Sequence, residues 1–207
     1  QLRIDEEDTY AIKVEHQFYN LIEKLTHNID AIILQDYNKG VLTENIINKI
    51  ISLANKKNIP TIVDPKKHNF LSYKNCTLFK PNLIEIKEGL NTNPDINNFE
   101  EIKKTTTKLR KLISAKAILL TLSNKGIFLN TKNGSKLKES TTKNVIDVSG
   151  AGDTVVSVAT MCLACNISFN ELAVLANIAG GIVCEKVGVV PISNQELLER
   201  AKKVLNV

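Results

Sequence analysis

The chain alternates, again and again, between apolar residues at helical spacing and short apolar runs of strand length, and this rhythm constrains its fold more than any other feature. Phe18, Leu21, Ile22 and Leu25 recur at helical spacing, and the run 31–34 that follows reads as a short buried strand ending at Asp36. Thr43 then caps a second periodic stretch through Ile46, Ile47, Ile50, Ile51 and Ala54. Asn58 and Pro60 break it, and residues 61–63 form another strand ending at Asp64. A strand at 77–79 stops at Pro81. Asn82 is placed to cap a helix with Glu85 three residues on, and a lysine-rich helix near 97–113 precedes a strand at 117–122. Repeated units of this kind predict an α/β fold, a mostly parallel sheet with helices on both faces.

After residue 122 the pattern changes. Asn124, Lys125 and Gly126 make a turn, and segments at 127–129 and 135–139 alternate as antiparallel hairpin strands, giving the sheet an antiparallel edge. Helices follow at 152–165, 170–185 and 193–205, the last opened by Ser193 with Glu196 as capping-box partner. No internal repeat or interdomain linker interrupts the 207 residues, which predict a single domain over 1–207. Charge excludes one class of partner. Lysine and arginine number 27 against 22 aspartates and glutamates, and the resulting +5 is spread along the chain, so nucleic-acid binding is not implied. No apolar run has the roughly 18 residues of a membrane span, and residues 1–10 carry no signal-peptide pattern, which predicts a cytoplasmic protein without a membrane partner. Cys76, Cys162, Cys165 and Cys184 sit in apolar contexts and read as reduced thiols. Cys162 and Cys165 read as a buried pair rather than a zinc or redox site.

The chemistry is concentrated at DVSGAGDTVVSVA, residues 147–159. The first turn of a helix offers unpaired N–H groups and a positive dipole end. Gly150, Ala151 and Gly152 can therefore cradle a phosphate oxygen or a developing negative charge. Asp153 at the edge of that cradle is placed to take a proton from an attacking hydroxyl, the general-base part of phosphoryl transfer. The plainer alternative is a glycine-rich loop with Asp153 as a helix cap. For Asn82 and Glu85, spacing alone favours a simple helix-capping pair.

DVSGAGDT resembles the signature of the ribokinase or PfkB family of carbohydrate kinases. The resemblance implies a ribokinase-like three-layer sandwich and an ATP-dependent kinase with Asp153 as catalytic base and Gly150, Ala151 and Gly152 as anion hole. It also implies a monovalent-cation site, in many members potassium, at Asp147 and Ser149. KPNLIE resembles the family's N-x-x-E element, in which Asn82 and Glu85 would organise Mg2+ and phosphate through bound water. TLSNKG places Thr121, Ser123 and Gly126 near the nucleotide, and ANIAGGIVCEKVG does the same for Asn177. QDYNKG, DPK and the early Arg3-x-Asp5 narrow the resemblance to the branch acting on a heptose 7-phosphate. There Asp36, Lys39 and Lys66 are candidates to meet sugar or phosphate groups. Lys80 and Val158 depart from the family pattern and receive no role.

The resemblance starts well inside the family fold. The early strands, the glycine-pair sugar motif and the β lid have no counterpart, so a chain beginning at Gln1 reads as an N-terminally incomplete kinase domain, without the nucleotidyltransferase domain of some heptose enzymes. The alternative class is a non-catalytic nucleotide-binding fragment that lacks a sugar site. Missing lid strands would leave sheet edges that a second copy could cover, as a homodimer.

Overall fold

The computed structural model describes residues 6–7, 9–142 and 144–205; Arg3 and Asp5 lie outside them. Six strands form one sheet in the order β1 (Ile32–Gln35), β2 (Thr61–Asp64), β3 (Leu78–Phe79), β4 (Ala117–Thr121), β5 (Ile127–Thr131) and β6 (Gly134–Lys138). The first four are parallel, and β5 and β6 add the antiparallel edge expected from the hairpin pattern. Between and after them run α1 (Glu15–Leu25), α2 (Glu44–Lys56), α3 (Leu83–Leu90), α4 (Phe99–Leu112), α5 (Ala151–Ala164), α6 (Phe169–Cys184) and α7 (Asn194–Leu205).

The alternation of side chains along each strand sorts the core into two layers. Val63, Phe79, Ile118, Leu120 and Phe128 face α1 to α4, where Ile46, Ile47, Ile50, Ile86, Ile102 and Leu109 cover them. Ile62, Leu78, Ala117, Leu119, Ile127 and Leu129 face the other way, onto Val155, Ala159, Leu172, Ala173 and Ala176 of α5 and α6. Small residues on α5 and α6 let these two helices pack closely over the sheet, and a Cβ built on Gly180 would come within 2.9 Å of Val155. The result is a three-layer α/β/α arrangement.

Helix starts follow their capping residues. Thr43 accepts from the Ile46 N–H, Asn82 and Ser168 each close a full capping box with the glutamate three residues on, and Asn98 accepts from the Glu101 N–H. Two sequence expectations need correction. Ser193 does accept from the Glu196 N–H, but the Glu196 carboxylate turns instead to Lys186, 2.6 Å away, so only half of that capping box forms. A nearby cation offers the carboxylate a stronger partner than a backbone N–H. Cys162 is buried as expected, whereas Cys165 is exposed where α5 ends, so the two do not form a buried pair.

Candidate active site

Strand register decides which side chains meet at the carboxyl ends of the parallel strands. Gln35 is registered against Asp64, and Val63 against Phe79, so the last residues of β1 and β2 and Lys80 just beyond β3 stand side by side. This is the crevice where open parallel sheets bind ligands. Helix α5 begins there. Gly150 takes a left-handed conformation, with φ of +76°, and turns the chain into the helix. Among the described residues the N–H groups of Gly152 and Asp153 have no acceptor, and no side chain caps α5. The sequence expects an anion cradle at Gly150, Ala151 and Gly152; here the Ala151 N–H donates to the Val148 carbonyl, and the open donors at the positive end of the helix dipole are those of Gly152 and Asp153.

Lys80 stands beside these donors. Its ammonium is almost wholly buried, stands 2.9 Å from Asp64 Oδ1, and would lie 3.8 Å from a Cβ built on Gly152. This contact is an ion pair, and the three N–H groups of the ammonium make no hydrogen bond to any other acceptor among the described residues. Asp64 Oδ2 accepts from Gln35 Nε2 at 2.8 Å, and the same nitrogen donates to Asp153 Oδ1 at 3.1 Å. Asp153 is thus an exposed carboxylate at the cradle's edge, tied on one oxygen and free of partners among the described residues on the other. Lys80, Asp64 and Gln35 carried no assigned role in the sequence. The signal that locates them is register, since three parallel strands ending together place their terminal residues on one line.

Other predicted residues divide into a group beside this line and a group away from it. Lys66 donates to Glu85 Oε1 at 2.5 Å, and Glu85 Oε2 accepts from the Asn82 N–H at 2.8 Å. Burial alone would lower the Lys66 ammonium, but the Glu85 hydrogen bond and charge, with Asp64 and Asp36 behind it, raise it above the usual lysine value. The Thr121 N–H donates to the Pro81 carbonyl, and Thr121 is bridged to Asn82, which keeps both at the strand ends. Asp147 Oδ1 accepts from the Ser149 N–H and hydroxyl, and Oδ2 accepts from the Gly188 N–H. These donors, the Ser149 N–H foremost, hold the Asp147 carboxyl below the usual aspartate range.

Asp36, expected to meet a sugar or phosphate group, is turned inward. Its carboxylate is buried and accepts from Tyr73 Oη at 2.6 Å, Asn69 Nδ2 at 3.2 Å and the Asn38 N–H at 2.8 Å, so it clamps the chain after β1 from inside. Burial and this bond raise Tyr73 far above the usual phenol value, so it acts as a fixed donor. Lys39 pairs with Glu7, at the rim of an apolar groove along β1. Asn177 donates to the Glu139 carbonyl at 2.7 Å and so ties α6 to the chain after β6. Ser123 is exposed in a 3-10 turn. Gly126 is required by packing, since a Cβ there would come within 2.1 Å of the Lys138 carbonyl. Around the start of α5, exposed Val145, Ile146, Val148, Val187 and Val189 gather on loops joined by the Ile146–Cys184 and Asp147–Gly188 hydrogen bonds. Sequence reasoning passed over these residues because apolar side chains on loops carry no motif.

A parallel α/β sheet with an anion cradle, a buried lysine and a carboxylate at its carboxyl edge defines a domain suited to phosphoryl transfer. Residues 2–196 match the pfkB family of carbohydrate kinases, and the chain belongs to that family. It is 36% identical over 198 residues to the bifunctional protein HldE of Campylobacter jejuni strain RM1221 and 38% identical over 197 residues to that of Histophilus somni. Both matches cover 95% of this chain, which spans 42% and 40% of those relatives' lengths. Among solved structures, phosphofructokinase-2 from Escherichia coli in complex with potassium superposes with a TM-score of 0.81 at 19% identity, covering 94% of this chain and 64% of its own. Arabidopsis thaliana ribokinase complexed with ribose and ATP gives 0.76 at 20%, covering 88% and 59%. At these identities the structures establish the ribokinase-like fold.

Proposed function

We propose that this chain carries the catalytic and nucleotide-binding part of an ATP-dependent sugar kinase. The acceptor we assign is the anomeric hydroxyl of D-glycero-β-D-manno-heptose 7-phosphate, and the product its 1,7-bisphosphate, a step of lipopolysaccharide heptose-precursor synthesis. The observation that carries the reading is the placement of the Asp153 carboxylate beside the unpaired N–H groups of α5, with Lys80 buried alongside. The pfkB match, the QDYNKG and DPK segments, and the identity with HldE support the sugar-kinase class and its heptose branch.

In this mechanism Asp153 takes the proton of the acceptor hydroxyl as the oxygen attacks the terminal phosphorus of ATP. The new oxygen–phosphorus bond forms as the bond to the β-phosphate oxygen breaks, and ADP leaves with that electron pair. Charge on the transferred group is met by the Gly152 and Asp153 N–H groups, with Ala151 lining the turn, and by Lys80. Lys66, raised and half-exposed, is placed to offer a point charge to a phosphate of either substrate. The exposed valines and Ile146 around the α5 start provide an apolar wall for the base.

The fit of metal ions follows from the donors present. No cluster of three or more histidine, cysteine, aspartate or glutamate side chains among the described residues can hold a metal directly. Both Glu85 oxygens already accept hydrogen bonds, so Glu85 and Asn82 suit contact with hydrated Mg2+ through water. Bound with the nucleotide, Mg2+ would neutralise phosphate charge. Asp147 and the Ser149 hydroxyl oxygen would together hold a monovalent cation such as K+.

The test is ATP-dependent phosphorylation of a sugar-phosphate panel that includes heptose 7-phosphate, by this chain and by its Asp153→Asn variant. Turnover on the heptose, lowered at least 100-fold in the variant, is the expected result for a base removed. Turnover on another sugar alone moves the chain to a different pfkB specificity. ATP binding with no turnover on any sugar would sink the catalytic reading in favour of a nucleotide-binding fragment.

A further inference from the structure

Gln35 stands between two carboxylates and touches both. One side-chain NH2 group carries two hydrogens, so the donations to Asp64 Oδ2 at 2.8 Å and Asp153 Oδ1 at 3.1 Å can be made together. On the far side of Asp64 stands Lys80. The line Lys80, Asp64, Gln35, Asp153 therefore runs from the buried cation, across the ends of β2 and β1, to the exposed carboxylate at the start of α5.

We propose that Gln35 is a positioning residue that holds the Asp153 carboxylate in the geometry needed to take the acceptor's proton. The proposal rests on the reading of Asp153 as the base. An exposed aspartate on the first turn of a helix has several open rotamers, and Asp153 makes no other side-chain hydrogen bond among the described residues. The amide fixes one oxygen and leaves Oδ2 without a partner, so the proton-accepting atom is presented in one direction. Gln35 is itself fixed. It closes strand β1, its backbone is registered against Asp64, and its amide is anchored on a carboxylate that Lys80 holds from the other side. A neutral amide suits this position because it joins two anions without adding or removing charge at the base. A glutamate would bring a third carboxylate to the same point, and a lysine would compete with Lys80 for Asp64.

The test is steady-state kinetics of the Gln35→Met variant, close in size but without a donor, with ATP and heptose 7-phosphate. The variant should lower kcat about 10- to 100-fold, as a displaced reacting group does, while KM for ATP stays within about two-fold. Met leaves a buried Asp64 oxygen without its donor, so Gln35→Ala, which admits water to Asp64, is measured beside it and should show the same split. A wild-type kcat in both variants, with Asp153→Asn inactive, overturns the role of Gln35 and leaves Asp153 as base. Equal losses in kcat and ATP affinity overturn it too, because they report a general loss of site structure. Wild-type turnover in Asp153→Asn, or none in the unaltered chain, overturns the base reading and this proposal with it.

Discussion

The buried pair of Lys80 and Asp64 is the residue-scale feature whose presence most needs a reason. Taking both charges out of water costs several kcal/mol per ion, and a pair of apolar residues of similar volume often serves stability as well or better. The ion pair's presence is explained if the ammonium's remaining donors meet phosphate. Lys80→Met alone should cost roughly 3–5 kcal/mol by urea unfolding, since it strands a buried carboxylate. Lys80→Met combined with Asp64→Leu should regain most of that stability and still transfer no phosphoryl group. A double variant that keeps its activity would show that the pair has no chemical part. Asp147 gives a second test, by pH. Its folded value lies below the ordinary 3.8. A lowered carboxylate contributes stability that is fully present above its unfolded value and is lost as pH falls through the folded one. The midpoint difference between the wild type and Asp147→Asn should therefore be full near neutrality and disappear well below pH 3.8. A difference that persists there would mean the loop 147–149 is held by something other than this carboxylate.

At the scale of elements, packing sets limits that no local pattern announces. Gly89 lies inside α3, and a Cβ there would come within 2.1 Å of the Phe70 ring, which is itself buried and packed edge-on against Phe79 at 5.2 Å between centroids. Gly89→Ala would gain helix propensity at an exposed site, but here it should destabilise by about 1–3 kcal/mol through overpacking, read as a lower urea midpoint with an unchanged slope. A stabilised variant would mean that Phe70 moves aside freely. The helices and strands themselves were legible because capping residues and apolar periodicity are local: Thr43 and Asn82 each mark a helix start in sequence and in structure. The half-formed box at Ser193 was not, because Lys186, ten residues from Glu196, competes for the carboxylate. The site divides in the same way. Gly150, Ala151, Gly152 and Asp153 were readable as a contiguous motif, whereas Lys80, Asp64 and Gln35 become neighbours only through register, and the inward turn of Asp36 depends on where Tyr73 and Asn69 lie in the fold.

Over the whole molecule, the two ends of the sheet are finished differently. At one, β5 and β6 close the sheet with an antiparallel hairpin and pack against α4 and α6. At the other, β1 is the outermost described strand and borders a groove of about 1050 Å³ lined by Phe18, Ile22, Leu25, Ile33 and Val41. In the proposed reading the nucleotide would rest on the α5 start, the strand ends and the loops around Gly188, while the β1 side carries Lys39 and the chain near Asp36. If the proposed function holds, nucleotide binding and sugar binding make separable demands on this chain. A ligand that binds only the folded state stabilises it by about 2.7 kcal/mol at a hundred times its dissociation constant, and for a domain of this size each kcal/mol raises Tm by roughly 2–4 °C. Saturating ATP with Mg2+ should then raise Tm by about 5–10 °C. The same rise in Lys80→Met combined with Asp64→Leu should be clearly smaller, since the phosphates lose their buried cation. Heptose 7-phosphate added without nucleotide should give a further, independent shift if the β1 side retains an acceptor site. The absence of any shift with ATP would remove nucleotide binding, and with it the kinase reading, from this chain.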